Sequence, residues 1–352
     1  METAGTAART DLATDAPGAP ASPTAATGPR PDRAGSVCIL LNGAAGRSGP
    51  DRAAEAIRAH AETQGAAIVL RDLTGSAGGT SLREACRAAV DEGFHAVAAA
   101  GGDGTVAAVA ACLAGTGVPM GLVPLGTFNY FARANGTPED LTAALGLLQT
   151  GSPAPRDVAY VNGHLFLNNA SVGIYPRILA DREAVYRRWG RSRIAAYWSV
   201  VRTVAGFRRA RRMKVTVDGH TFRAQTPLVF VAFNPFQLDA FGLAGADRIR
   251  AGEFAVFVAP DCGRFGLIGF AAKLLLRGMR RGRDFELLHG HVIEIDTVDP
   301  RHRDRRIAID GEKVWLEPPF RFRIDRGALR LIVPAPDAAA DPADPTGGVG
   351  QA

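Results

Sequence analysis

The chain has 352 residues, 47% of them hydrophobic and 22% charged, with a formal net charge of +6. That composition excludes a wholly disordered chain, a collagen-like fibre and a small disulfide scaffold, and the length suits two domains of ordinary size. The longest apolar run in the C-terminal half, Phe265–Leu276, is twelve residues long and contains Lys273; a membrane-spanning helix needs roughly twenty, so no spanning segment is expected.

Residues 1–34 are rich in Ala, Pro, Thr and Gly, and 335–352 read the same way. Both are expected to be disordered tails, because they can bury little. The N-terminal stretch has no apolar core behind a basic region and so does not read as a secretory signal. From Val37 the pattern alternates short apolar runs with helical stretches. Val37–Leu41, Ala66–Leu70, His95–Ala100 and Met120–Pro124 read as strands, and Asp51–Thr63, Ser81–Asp91 and the residues leading to Ala114 as helices. This alternation predicts parallel βαβ units with a ligand at the C-terminal ends of the strands.

After about Arg156 the character changes. Met213–Phe222 alternates with period two around Asp218-Gly219, a hairpin signal, and Leu228–Phe233, Glu253–Val258, His291–Ile295, Arg306–Ile309 and Phe320–Ile324 read as further strands. Helical stretches are expected at about 177–208 and 264–281. The predicted fold class is an α/β Rossmann-like nucleotide-binding domain over 35–155, followed by a mainly antiparallel, β-sandwich-like domain over 156–334.

Four cysteines, Cys38, Cys86, Cys112 and Cys262, show no CxxC spacing and no histidine at ligand spacing. They are expected to be small packed side chains in a reducing compartment, not a zinc site. The positive charge is uneven: between Arg177 and Lys214 twelve Arg and Lys stand against Asp181 and Glu183. Aromatic residues Trp189, Tyr197 and Trp198 interleave with this run, which suits an anionic membrane surface; a solvated helical face would read the same way. No nucleic-acid-binding module is recognisable.

Two glycine-containing segments carry the chemistry. Gly101-Gly102-Asp103-Gly104-Thr105 follows a strand and opens a helix, so its backbone N–H groups can approach a phosphate at a helix N-terminus. Thr105 is a candidate helix cap. Asp103 is out of place beside phosphates unless a metal ion or a proton transfer involves it, although an aspartate also suits a tight turn. Gly126, Thr127 and Asn129, after the next strand, offer small donors at the same sheet edge, or an ordinary helix entry. The chain lacks GxxxxGK[ST], so the first loop is not a Walker A loop.

GGDGT, then PLGTFNYFAR, then Leu167–Pro176 (LNNASVGIYP), then Ile309-Asp310-Gly311-Glu312 resembles the diacylglycerol kinase catalytic family in its bacterial lipid-kinase branch, which is related to sphingosine and ceramide kinases. GGDGT alone is shared with NAD kinases and phosphofructokinases; GTxNxFAR with a later DGE is more specific. The resemblance implies ATP and Mg²⁺ as cofactors, a lipid hydroxyl as phosphoryl acceptor, and a cytoplasmic location, peripheral at the inner membrane face. It implies that Gly101, Gly102, Asp103, Gly104, Thr105, Val106 and Ala107 hold the phosphates, and that Asn42, Thr74, Gly126, Thr127 and Asn129 also bind the nucleotide. Glu312 is implied as proton acceptor, Asp310 accompanies it, and Asp103 is the rival. Two positions depart from the family pattern. Tyr130 stands where an acidic residue is usual, and Ala251 in RAGEF stands where relatives have the aspartate of a structural Mg²⁺ site, so no metal ligand is assigned. An NAD kinase-like enzyme, and a catalytically weak regulator that binds nucleotide or anionic lipid, remain as alternatives.

Overall fold

The computed structural model describes residues 35–42, 50–73, 81–174, 210–263, 266–267, 269, 273, 282–298 and 306–335. The expected tails, Thr74, the 177–208 helical stretch with Trp189, Tyr197 and Trp198, and most of 264–281 lie outside these residues; positions 266, 267, 269 and 273 are helical.

The N-terminal half builds the parallel layer that its periodicity predicts. β1 (Val37–Leu41), β2 (Ile68–Asp72), β3 (Ala96–Gly101) and β4 (Met120–Pro124) lie in the order β2-β1-β3-β4, every pair parallel. All residues of β1, β3 and β4 are buried, because helices cover both faces and leave no solvated side. One face packs on α1 (Pro50–Gln64) and α5 (Leu141–Thr150), around Ile39, Ile57 and Leu145. The other packs on α2 (Leu82–Asp91) and α3 (Asp103–Leu113), around Leu40, Val109 and Leu122. Ser81 and Glu84 close a capping box at the start of α2, and the Asp140 side chain caps α5; each satisfies N–H groups that a helix cannot pair internally. Between β4 and α5 lies one further turn of helix, α4 (Tyr130–Ala134).

The second half is antiparallel but does not begin cleanly at 156. β5 (Ser152–Val161) runs straight through that position. The last strand, β16 (Phe320–Val333), pairs with β5 and with β13 (Ile293–Thr297), then meets β4 in parallel register at Leu331 and Met120. The parallel layer therefore continues, through β16, β13, β8 (Arg211–Val217) and β9 (His220–Thr226), into one ten-stranded sheet that also holds β5 and β6 (His164–Phe166). A separate six-stranded antiparallel sheet has the order β12-β11-β10-β7-β14-β15. Its strands are β7 (Asn169–Gly173), β10 (Leu228–Ala232), β11 (Phe254–Val258), β12 (Glu286–Gly290), β14 (Arg306–Ile309) and β15 (Glu312–Trp315). The two sheets share a core in which Phe166 packs against Phe233, Phe254 and Phe322. Aromatic rings of this size carry much of such a core's apolar burial. The outer face of the six-stranded sheet is covered by α6 (Pro235–Phe241) and α7 (Ala246–Arg250), through Leu238 and Ile249.

Three hairpins turn through two residues with positive φ: Asn162-Gly163, Asp218-Gly219 and Asp310-Gly311. Only short polar residues and glycine tolerate that conformation readily, and the turn matches the twist of the strands it joins. No helix among the described residues is long and apolar enough to cross a membrane.

Candidate functional site

The C-terminal ends of β1, β3 and β4 meet at one edge of the parallel layer. The Asn42 N–H donates to the Ala100 carbonyl (3.0 Å) and the Leu125 N–H to the Gly101 carbonyl (3.0 Å), so Asn42 and both glycine loops share that edge. Gly101 ends β3, Gly102 stands at the N-cap of α3, and no side chain caps the helix. The sequence offered Thr105 for that role. It lies instead inside the first turn, buried, with its side chain against the Gly101 α-carbon. A Cβ on Gly101 would sit 2.5–2.9 Å from Thr105 atoms. The uncapped N–H groups and the positive end of an eleven-residue helix favour an anion there. Val106 is buried and Ala107 half-buried behind the loop.

The second loop fits against the first without a gap. A Cβ on Gly126 would lie 2.6 Å from the Gly102 α-carbon, so only glycine permits this backbone contact. Asn129 adopts a left-handed conformation (φ 50°) and is buried. Its Oδ1 accepts the Gly126 N–H and its Nδ2 donates to the Gly126 carbonyl, both at 3.0 Å. Asn129 thus clamps the loop shut, which leaves Thr127 exposed. Thr127 lines a cleft of about 470 Å³ together with Arg52, Asn129, Arg133 and Asp140. Tyr130 stacks on the exposed Phe128, ring centroids 5.4 Å apart.

The three acids occupy different surroundings. Asp103 accepts the Phe131 N–H (3.3 Å) and an Asn168 Nδ2–H (3.5 Å), so it ties the first loop to the start of α4. Burial pushes its carboxyl above the ordinary carboxylate range, against the pull of these donors. Asp310 occupies the first position of the β14–β15 turn. The residue keeps some exposed surface, but its carboxylate points deep into the protein, and that depth governs its proton affinity. It accepts three successive backbone N–H groups, from Leu167 (2.8 Å), Asn168 (2.8 Å) and Asn169 (3.0 Å). Burial is the dominant influence and raises it to about 6; the N–H donors oppose this, and the nearby charge of Asp103 adds to it. Glu312, two residues on, is exposed at the start of β15. Its carboxylate leans over the first glycine loop, where a Cβ on Gly104 would stand 2.9 Å from Oε1. The fold therefore brings a glutamate from the second sheet onto a loop some two hundred residues earlier in the chain.

Asn168 links these parts and received no role from the sequence. It bonds Asp103 through its side chain and Asp310 through its backbone, and its Oδ1 accepts from the buried Asn234 Nδ2 (2.7 Å). Asn234 caps α6, and Asn169 bonds Gln237 in the same helix (3.0 Å). The available signal was the pair Asn168-Asn169 in an apolar run, since two buried amides require partners. The Ala251 position is the C-cap of α7. Glu253 just beyond it is paired with Arg248 (2.6 Å) and approached by His289 (3.3 Å), so an ion pair holds this segment.

An α/β sheet edge with an uncapped helix N-terminus and two interlocked glycine loops is an arrangement that can hold an anionic group. The sequence comparisons narrow this. Residues 36–161 match the diacylglycerol kinase catalytic domain, so this segment belongs to that family, as the motifs indicated. Proteins named "Probable lipid kinase YegS-like" from Cronobacter sakazakii and Pseudomonas aeruginosa are 44% and 47% identical over 98 and 96 residues. Those matches cover 26% of this chain in each case, and 33% and 31% of the relatives, so the chain spans about a third of their length. An uncharacterized Synechocystis protein is 27% identical over 250 residues, covering 67% of this chain and 54% of its own. In fold, the chain resembles the crystal structure of a diacylglycerol kinase from Bacillus anthracis, with a TM-score of 0.63 at 21% identity. That alignment covers 86% of this chain and 98% of the other.

Proposed function

We propose that this chain is an ATP-dependent lipid kinase that passes the γ-phosphoryl group of ATP to a lipid hydroxyl. The observation that carries this reading is the approach of Glu312 to Gly104, which puts a solvent-reachable carboxylate beside the phosphate loop. In this reading the nucleotide phosphates lie along the uncapped first turn of α3, with Thr127 and Asn42 at the same edge. Glu312 accepts the proton of the lipid hydroxyl as its oxygen bonds to phosphorus and ADP leaves, because an alcohol is a poor nucleophile until that proton is taken. Asp310 acts on position: its carboxylate fixes the backbone of Leu167–Asn169, and the turn it begins delivers Glu312.

Mg²⁺ accompanying ATP would supply charge neutralisation on the transferred group. Asp103 is the residue that would hold it, since magnesium needs only one or two carboxylates when phosphate oxygens complete its shell. Asp103 fits that part by position, since it opens α3 on the same glycine loop that the Glu312 carboxylate overhangs. A lipid acceptor is supported by a cleft of about 320 Å³, lined by Phe131, Leu167, Phe233 and Pro235 beside Asn234, with Arg156 and Asp157 also on its wall. Arg211, Arg212 and Lys214 on β8 are the described part of the basic run proposed to meet an anionic membrane surface.

The test is transfer of labelled phosphate from Mg-ATP to a lipid panel in mixed micelles, with NAD as a soluble acceptor. Label should enter a lipid, and Glu312→Gln should lower kcat on the order of 10² to 10⁴-fold with the KM for ATP nearly unchanged. Label in NAD would transfer the case to an NAD kinase-like activity. ATP binding with no labelled acceptor would indicate a regulator.

A further inference from the structure

Asn168, Asn169, Asn234 and Gln237 bring four side-chain amides together where β7 begins beside α6. The order of their hydrogen bonds is fixed from one end. Asn234 is the N-cap of α6, and its Oδ1 accepts the Gln237 N–H (3.3 Å). A backbone N–H can only donate, so Oδ1 and Nδ2 cannot exchange places by turning that amide over. The Asn234 Nδ2 therefore points away from the helix terminus and donates to the Asn168 Oδ1 (2.7 Å). With its oxygen committed, Asn168 has only Nδ2 to offer on its other side, where the Asp103 Oδ1 accepts at 3.5 Å.

Asn168 and Asn234 are each 2% exposed, so a misdirected amide there would leave buried polar atoms unpaired. Backbone bonds hold the two in register. The Asn168 carbonyl accepts the Phe233 (2.9 Å) and Asn234 (3.1 Å) N–H groups, and the Asn169 Nδ2 donates to the Gln237 Oε1 (3.0 Å). At the far end the Phe131 N–H (3.3 Å) joins Asn168 on the same oxygen of Asp103. Two donors on one oxygen set the rotation of that carboxylate. The opposite setting of the Asn168 amide would turn its carbonyl oxygen to the carboxylate, two acceptors with no proton between them.

We propose that Asn234 is a positioning residue for phosphoryl transfer: through Asn168 it keeps a donor turned to Asp103 and so holds that carboxylate in the setting the transfer needs. Its own hydrogen bonds end on Asn168 and on α6, so it acts on Asp103 through the direction of an amide. The role rests on the kinase reading above, whereas the amide order rests on the hydrogen bonds alone. Asn234 also lines the cleft of about 320 Å³. A wall residue of that cleft would act on the lipid KM, and a positioning residue acts on kcat.

The experiment compares Asn234→Asp with Asn234→Ser in the full chain. Both keep an oxygen that caps α6. Aspartate has no donor, so the Asn168 Nδ2–H turns to it and the Asn168 carbonyl oxygen turns to Asp103; serine removes the donor without reversing the order. Asn234→Asp should lower kcat per folded molecule about 10- to 100-fold and Asn234→Ser less, both with the lipid KM nearly unchanged. A second readout needs no turnover, nucleotide or metal: the Asn168 side-chain amide signal in protein labelled with ¹⁵N-asparagine, identified by its loss in Asn168→Ser. Asp103→Ala should move that signal, and on the Asn234→Asp background the same substitution should leave it in place. A signal blind to Asp103→Ala in the wild type or shifted equally on both backgrounds, a raised lipid KM at unchanged kcat, or a kcat no lower in Asn234→Asp than in Asn234→Ser would overturn the proposal. A wild type that labels no acceptor would sink the kinase reading, and the amide signal would still decide whether Asn234 directs Asn168.

Discussion

Two hairpin turns in this protein are built alike and behave oppositely. Asp218-Gly219 and Asp310-Gly311 have nearly the same backbone, φ 45° and 86° against 46° and 82°. In each, the aspartate carboxylate accepts successive backbone N–H groups from a neighbouring segment: His291 and Val292 for Asp218, and Leu167 to Asn169 for Asp310. For Asp218, slight burial is outweighed by those N–H groups and by His291, and its carboxyl falls below the ordinary range. For Asp310, depth outweighs three donors, and the carboxyl rises. The local sequence is the same DG turn, so the difference comes from what is packed around it. The second turn also hands the chain on to Glu312 at the glycine loop, whereas the first hands it on to the exposed His220.

Asp310→Ala should give the largest effect. Three N–H groups in a dry environment lose their acceptor, and a cost of about 3 kcal/mol follows, measured as a lower urea midpoint at unchanged m-value. Gly104→Ala comes next, since its Cβ would meet the Glu312 carboxylate. It should cut kcat about tenfold, or about 1.4 kcal/mol of barrier, while the urea midpoint moves much less than in Asp310→Ala. Asp218→Ala should cost only about 1 kcal/mol, because water replaces its carboxylate. Both aspartates sit at the same positive φ, so the backbone cost of alanine cancels in the difference between the two turns.

The smallest effect, and the sharpest discriminator, is pH dependence. Asp310 binds a proton more tightly when folded, so its contribution to stability is greatest at low pH and is lost as pH rises through about 6. Asp218 binds a proton less tightly when folded, so its contribution is present above the unfolded value and is lost as pH falls below about 4. Urea midpoints followed from pH 3 to 8 should show the slope near pH 5 changed by Asp310→Asn alone, and the acid limb changed by Asp218→Asn alone. Equal changes in both variants would mean that burial does not separate the two turns.

Much of the site was legible because its parts are short and local. GGDGT between a strand and a helix, a second small-residue loop after the next strand, and DGE in a hairpin all announce themselves by glycine, which is needed where backbone meets backbone or φ turns positive. Asn168 and Asn234 were less legible. An asparagine in an apolar run states that it needs a partner without saying which, and the partners of these side-chain amides lie up to 66 residues away in the chain. Thr105 was read as a cap and is a packed side chain, because the α-carbon of Gly101 leaves room for it. β16 was read as a short strand, and its second half crosses into the parallel layer beside β4, a pairing that no periodicity encodes.

The sequence by itself determined the layer types, since periods of 3.6 and 2 dictate which side chains share a face, and it determined the two glycine loops and the family over residues 36–161. The tertiary structure alone decided which distant groups meet: Glu312 with Gly104, Asp103 with Asn168, and Asn168 with Asn234. It also decided that one DG turn holds an acid with a raised proton affinity and the other an acid with a lowered one. Periodicity fixes direction within an element, whereas distance and burial depend on how elements pack, and proton affinity follows distance and burial.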